Sequence, residues 1–501
     1  MNDLEWNRLK SWLQQYTPEA DSAASPEELI RLDLSGYGIR ELPESFGLLT
    51  KLVVLNLSGN KLCTLPASMK QLVHLSNLDL RRNRFEALPK VLSQMPLRSL
   101  NVSGNRLNDI AILAACHDLR VLDLSGNALS DVGVSLPVEN ELRTLNLSSN
   151  FIKEIGKLLP LLGHVERLNL SGNLLSQIPE SVGALVSLTE IDLSDNQIEK
   201  IDERFFSLEV ETVDLSSNRL TILHLHGLSE LESLTLDNNP FASLTIADDF
   251  APGLREFSCD SCGLTQFLLP VSTVLETLCY SSNALTSIPE EISRYTQLRE
   301  LDIDGNVITD LPDGLANLLT LKTLYALGNP LSEAAKKVIA ILAPEICDLN
   351  MKTGIVIVKA KEEDLMEMAA LLSVLFAIET DFEIDFDKQL AGITKLYHSE
   401  GAEMLVAKHE GKVVGMVTMQ RLISSAEGDF IGQIEDLVVK EDYRKMGVGS
   451  RLINRMRAIA QEYGYKRIQL AADVDNANAL QFYNRRGLRR THLSIYHFKN
   501  S

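Results

Sequence analysis

Arg444-Lys445-Met446-Gly447-Val448-Gly449-Ser450 stands between an apolar run, Ile434 to Val439, and a helix-like run from Arg451 to Tyr463. A strand that turns through two glycines into a helix N-terminus aims several backbone N–H groups at one point, with the helix dipole behind them. Arg444 and Lys445 add positive charge beside that point. The chemistry this suits is the holding of a pyrophosphate. Two familiar nucleotide patterns are absent: a dinucleotide turn needs Gly-x-Gly-x-x-Gly after the first strand of a βαβ unit, and a Walker loop needs Gly-x-x-x-x-Gly-Lys followed by Ser or Thr.

The elements around this turn read as an α/β unit. From Lys352 the pattern becomes β-rich, beginning with Ile355-Val356-Ile357-Val358. Periodicity then predicts helices over 365–376 and 386–397, and a hairpin of 404–408 with 413–422 through Glu410-Gly411. A strand over 430–439 leads into the turn. A helix over 451–463, a strand over 468–472, a helix over 476–486 and a final strand over 494–498 follow.

Before this unit the chain repeats itself. Fourteen copies of L-x-x-L-x-L-x-x-N-x-L place their Asn position at 37, 60, 83, 105, 127, 150, 173, 196, 218, 239, 262, 283, 306 and 329, in steps of 21 to 23 residues. Only Tyr37 and Cys262 depart from Asn there. An inward carboxamide both donates and accepts, so a stack of them can satisfy turn backbones inside a coil. Residues 29–331 therefore resemble the leucine-rich repeat proteins. Such a stack exposes an apolar end unless capped. Leu9, Trp12, Leu13 and Tyr16 share one helical face and predict an N-terminal capping helix over 3–16, while 333–342 is expected to close the far end. The expected organisation is a cap and linker over 1–28, a solenoid with its C-terminal cap over 29–350, and the α/β unit over 351–501.

The concave column between the two closest leucines reads Asp33, Asn56, Asp79, Asn101, Asp123, Asn146, Asn169, Asp192 and Asp214. Two readings stand: ordinary repeat chemistry, or an acidic groove for a basic protein partner, partly neutralised by Arg98, Arg120 and Arg143 in the next column. The net charge of −20 lies in residues 1–350, because 351–501 carry 21 residues of each sign. Within the α/β unit, 440–501 hold 13 basic and 5 acidic groups, and 351–439 hold 8 and 16. A basic half for an anionic ligand and an acidic half for a cationic one is the implied division. So acidic a chain is a poor nucleic-acid binder. No apolar run approaches the roughly 18 residues of a membrane span, and neither a signal peptide nor an anchor is expected, so the protein is read as cytoplasmic. Six scattered cysteines suit a reducing compartment. Cys259-x-x-Cys262 lacks a second ligand pair and falls on repeat positions, so no metal is expected.

The run Ile434-Glu435-Asp436-Leu437-Val438-Val439, then Arg-x-x-Gly-x-Gly, then Asn476-x-x-Ala479-x-x-Phe482-Tyr483-x-x-x-Gly487-Leu488, resembles the GNAT superfamily of acetyl-CoA dependent N-acetyltransferases over 352–500. The resemblance implies a central mixed, mostly antiparallel sheet, acetyl-CoA as cosubstrate and an amine acceptor. It implies Glu435 as base, as in diamine acetyltransferases with the same Glu-Asp run, and Tyr483 as donor to the coenzyme sulfur. The other common base position corresponds to Gln433, which cannot accept a proton. Leu437, Val438 and Val439 would lend backbone groups to pantetheine, Arg444 through Ser450 (Lys445, Met446, Gly447, Val448 and Gly449 among them) would hold pyrophosphate, and Asn476 would contact pantetheine or phosphate. Five carboxylates over 379–387, with Asp381 and Asp385 among them, together with Asp436 suggest an acidic mouth for a cationic small amine. The alternatives are a solenoid-directed acetyltransferase of protein amines, and a scaffold whose second unit only senses coenzyme A.

Overall fold

The computed structural model describes residues 3–16, 25–133, 136–326, 328–341, 355–376, 384–409, 411–444, 448–472, 476, 479–480, 482–483 and 488. The chain divides into two compact units, Met1–Leu298 and Arg299–Ser501.

In the first unit, short strands from Arg31–Asp33 to Thr277–Cys279 pair in parallel, repeat after repeat. Each central leucine is buried, and the flanking residues face outward, as the repeat pattern requires. Leu-Pro segments become single 3₁₀ turns such as Glu44–Leu48 and Ala67–Gln71, with the proline just before the turn. Proline suits that place because its fixed φ matches and its missing N–H would have no helical partner. The Asn ladder forms. Asn60 Oδ1 accepts from Ile39 N–H at 2.9 Å, and its Nδ2 donates to Leu34 O at 2.7 Å and Leu57 O at 2.9 Å. Helix α1, Asp3–Leu13, buries Leu9 and Leu13 completely and sets Trp12 edge-on to Phe46 at 6.3 Å, which covers the first repeat.

The concave Asp/Asn column builds turns. Asp33, Asn56, Asn101, Asp123, Asn169 and Asp192 each accept, at Oδ1, the N–H two residues on. Neighbours also bond across the column: Asn56 Nδ2 donates to Asp33 Oδ2, Asn101 to Asp123 and Asn169 to Asp192, at 3.1 to 3.3 Å. In the next column Arg120 pairs with Glu141 and Arg143 with Glu166. Repeat chemistry therefore accounts for these residue types without a partner. Cys259 and Cys262 are both buried, and the Cys262 thiol donates to Leu236 O and Asp260 O. Among the described residues no group of three or more His, Cys, Asp or Glu side chains is placed to hold a metal ion, and no helix is long and apolar enough to cross a membrane.

The second unit opens with two further repeat strands, Glu300–Asp302 and Thr323–Tyr325, paired in parallel. Helix α2, Glu333–Ile341, follows and buries Ala335, Val338 and Ile339. A five-stranded sheet then forms in the order β1 (Ile355–Lys359), β2 (Ala402–His409), β3 (Lys412–Ser424), β4 (Asp429–Val439), β5 (Ile468–Leu470). The first three pairings are antiparallel and the last is parallel. Helices α3 (Leu365–Phe376) and α4 (Phe386–Tyr397) pack one face through Met368, Leu372, Ile393, Val406, Met416 and Val438. Helix α5 (Val448–Glu462) packs the other through Leu452, Met456, Val417, Met419 and Ile434. Of the helix expected over 476–486 only 476, 479–480 and 482–483 are described, and the strand expected over 494–498 lies outside the described residues.

Candidate active site

Strand β4 organises the site through one irregularity. Val417 faces Leu437, but Met419 faces Ile434, so Thr418 alone stands opposite the two residues Glu435 and Asp436. This two-for-one step is a β-bulge. In a regular strand Glu435 and Asp436 would point to opposite faces. Ile434 and Leu437 both pack toward α5, so the extra residue leaves Glu435 and Asp436 together on the Thr418 side. The Thr418 hydroxyl donates to Asp436 Oδ2 at 2.8 Å, and Asp436 N–H donates to Thr418 Oγ1 at 3.2 Å. Burial pushes the Asp436 carboxyl up to about 6; the Thr418 hydroxyl opposes that rise, and the charge of Glu435 adds to it. Glu435 is exposed.

The parallel pairing of β4 with β5 spans Gly432 to Ile434 against Ile468 to Leu470. Beyond Ile434 the described pairing of β4 is with β3 alone. The two strands therefore part where the bulge begins, and the edge of Leu437, Val438 and Val439 faces the opening. Gln433 clasps the apex: its Oε1 accepts from Gln469 Nε2 at 2.8 Å, and its Nε2 donates to Ile434 O at 3.1 Å.

At the far end of β4 the chain turns through Glu441–Tyr443 into α5. Arg444 Nε donates to Val439 O at 3.1 Å, which ties the turn to the strand it leaves. Lys445, Met446 and Gly447 lie outside the described residues, and of Ser450 only the helical backbone is described. Val448 and Gly449 begin α5. A Cβ added at Gly449 would sit 3.4 Å from Phe482 Cζ and 3.8 Å from Val439 Cγ2, so strand end, helix start and the Phe482-Tyr483 step converge. The Tyr483 ring lies edge-on to Phe482 at 5.4 Å and is half-buried. An open strand edge leading to a helix start that carries no side chain at Gly449 fits an extended arm ending in phosphates, as acetyl-CoA has.

Two expected site residues have local work. Asn476 Oδ1 accepts from Ala479 N–H at 3.1 Å, the geometry of a helix N-cap. Asp385 caps α4, accepting from Lys388 N–H at 3.1 Å, which accounts for an aspartate there without a ligand. Asp381 lies outside the described residues. Thr418 and Gly415 escaped the reading of the sequence. Gly415 faces Val439 across the sheet, and a Cβ there would meet Val438 O and Val448 Cγ1 at 3.2 Å.

Residues 370–488 match the model of the Acetyltransferase (GNAT) family. Leucine rich repeat models match 51–72, 97–136, 140–198, 186–241 and 297–318. The chain is similar to an aminoalkylphosphonate N-acetyltransferase of Salmonella typhimurium, 26% identical over 133 residues, which is 26% of this chain and 84% of that protein. It is similar also to an N-alpha-acetyltransferase of Arabidopsis thaliana, 34% identical over 93 residues, 19% of this chain and 47% of that one. This chain thus spans about half the length of the Arabidopsis relative. Among solved structures, a leucine-rich repeat protein of Leptospira interrogans superposes with a TM-score of 0.54 at 27% identity, covering 67% of this chain and 99% of that one.

Proposed function

We propose that this chain, whose C-terminal part is a GNAT N-acetyltransferase domain preceded by leucine-rich repeats, acetylates a cationic small amine. Acetyl-CoA, the cosubstrate of this family, supplies an activated thioester acyl group when bound. The observation that carries the reading is the bulge in β4, which gathers two carboxylates where β4 leaves β5.

Each residue then has one task. Glu435, exposed at the bulge, takes the proton from the attacking amine at its carboxylate and passes it to water. Tyr483 holds at Oη the proton that the departing sulfur takes up. Leu437, Val438 and Val439 receive the pantetheine arm as a strand edge receives a strand. Arg444, Lys445, Met446, Gly447, Val448, Gly449 and Ser450 hold the pyrophosphate, and Asn476 offers Nδ2 while its Oδ1 caps the helix. Asp381, Asp385 and Asp436 make the acceptor side acidic, in keeping with the 16 acidic against 8 basic residues of 351–439. The domain is taken as 351–501 and the solenoid as 29–350, with its concave face as a surface for a protein partner.

The presence of the repeats favours a second reading, in which the solenoid delivers a protein amine. Thiol release from acetyl-CoA by the full chain, measured against polyamines, aminoglycosides, aminoalkylphosphonates and short peptides, separates the two. Acetylation of a free polyamine or aminoglycoside supports the first. Turnover confined to peptides or to a protein supports the second.

A further inference from the structure

One rung of the five-stranded sheet reaches both sides of the turn after β4. Ile355, the first residue of β1, stands opposite His409, the last of β2. His409 Nδ1 shares a hydrogen bond of 3.0 Å with Tyr443 Oη, and the two rings meet edge to face at 5.5 Å. Across the rung, Ile355 O accepts from Arg451 Nη2 at 3.1 Å. Tyr443 ends the turn that leaves β4, and Arg451 lies in the first turn of α5. In the chain these two residues bracket Arg444 to Ser450.

The turn has other bonds that shape it. Tyr443 N–H donates to Lys440 O and Lys440 N–H to Val414 O, both at 2.9 Å, and Arg444 Nε reaches Val439 O. The Tyr443 ring packs against the cluster that holds Ile355, Val448 and Leu452, which a phenylalanine ring would do equally. What Oη adds is a fixed link to His409. Arg451 is harder to explain by stability. Its guanidinium is buried, and a cation in the first turn of a helix opposes the dipole. That turn carries no acidic residue. An anion at the start of α5 is favoured by the dipole and by the Arg451 charge together.

We infer that His409 and Arg451 are positioning residues for the coenzyme's pyrophosphate: from one rung they hold the two ends of the segment 444–450, so that the start of α5 keeps its aim before the ligand arrives. The inference rests on the reading of that segment as the pyrophosphate site. His409 acts through Tyr443, and Arg451 acts through the Ile355 carbonyl and through its charge. A site held at both ends loses less conformational freedom on binding, which strengthens affinity without a contact to the ligand.

The test uses the full chain and two ligands. Acetyl-CoA carries the pyrophosphate, and S-acetylpantetheine carries the same acyl arm without any phosphate. In calorimetry, His409→Ala and Tyr443→Phe each weaken acetyl-CoA binding by about 2- to 10-fold, the worth of one hydrogen bond, and the double variant loses no more than either alone. His409→Asn, which places a polar atom where Nδ1 stood, restores the affinity. Arg451→Met removes a charged donor and weakens acetyl-CoA by about tenfold or more. In ligand-observed NMR titration, S-acetylpantetheine binds all of these variants within about twofold of the wild type. A merely structural role weakens both ligands alike and is not restored by asparagine, and that result overturns the inference. So does acetyl-CoA affinity that is unchanged in both His409→Ala and Tyr443→Phe. A wild-type chain that does not bind acetyl-CoA overturns the coenzyme reading itself, and the inference falls with it. If Arg451→Met does not fold, the His409 and Tyr443 variants still decide the outcome.

Discussion

A methyl group at Gly415 would test how closely β4 and α5 must approach to form the site. A Cβ there would stand 3.2 Å from Val438 O, 3.2 Å from Val448 Cγ1 and 3.3 Å from Val439 Cγ2, all closer than ordinary contact. Val438 O is strand backbone, and Val448 is a buried branched side chain that begins α5. Neither yields freely, so the relief is a retreat of the helix start from the strand end. Overpacking of this kind costs about 1–3 kcal/mol. If the retreat opens the pyrophosphate turn, acetyl-CoA affinity falls by about 5- to 150-fold, since 1.4 kcal/mol is a factor of ten. Calorimetric titration of Gly415→Ala with acetyl-CoA, beside a thermal melt, reads both parts. Gly449→Ala is the control for the fold, because its Cβ meets Phe482 only at 3.4 Å, and any affinity it loses is lost to the ligand. A Gly415→Ala chain that binds acetyl-CoA within about twofold of the wild type would refute the reasoning that this contact sets the site.

Asn150 donates to Leu124 O and Leu147 O at 3.0 Å and accepts from Leu129 N–H at 3.1 Å, all buried. Asn150→Ala should cost about 2–4 kcal/mol through groups left unpaired, seen as a lower melting temperature with acetyl-CoA affinity unchanged; an unaltered melt contradicts the ladder's role. Tyr483→Phe keeps the ring that packs on Phe482 and removes Oη, so kcat should fall by about 10²-fold or more while acetyl-CoA binding holds. Equal kcat removes Tyr483 from the proton transfers.

The repeats were legible because one residue type recurs for one physical reason. The exception proves instructive at Cys262: a thiol has no carbonyl oxygen to receive the Phe241 N–H, and that N–H donates to Asn239 O instead. The concave column was ambiguous in sequence, since Asp alternating with Asn suits a groove and a set of turns equally. Its amide-to-carboxylate bonds depend on neighbouring repeats, which no single repeat displays. Where Asp192 and Asp214 stand side by side, burial and then the charge of Asp192 push Asp214 up to about 7.

In the α/β unit the helices over 365–376 and 386–397 match their expected bounds, because apolar periodicity marked them; that Asp385 caps the second was not read from the sequence. The bulge had a signal that went unread. Ile434 and Leu437 are three apart, an odd spacing that no regular strand can turn to one face, so an extra residue had to lie between them. Thr418 had none, because its role exists only across the pairing of β3 with β4. Gly415 inside Val413-Val414-Gly415-Met416-Val417 did mark a close approach, which the strand pattern alone could not aim.

The central claim is that the bulge carboxylate of β4 takes the amine proton in an acetyl transfer. The most direct measurement is the rate of amine acetylation by Glu435→Gln at saturating acetyl-CoA, with coenzyme affinity measured on the same sample. The account predicts a loss of about 10²- to 10⁴-fold in rate with affinity retained, because the amide keeps the shape and cannot accept the proton. A Glu435→Gln chain as fast as the wild type would contradict it.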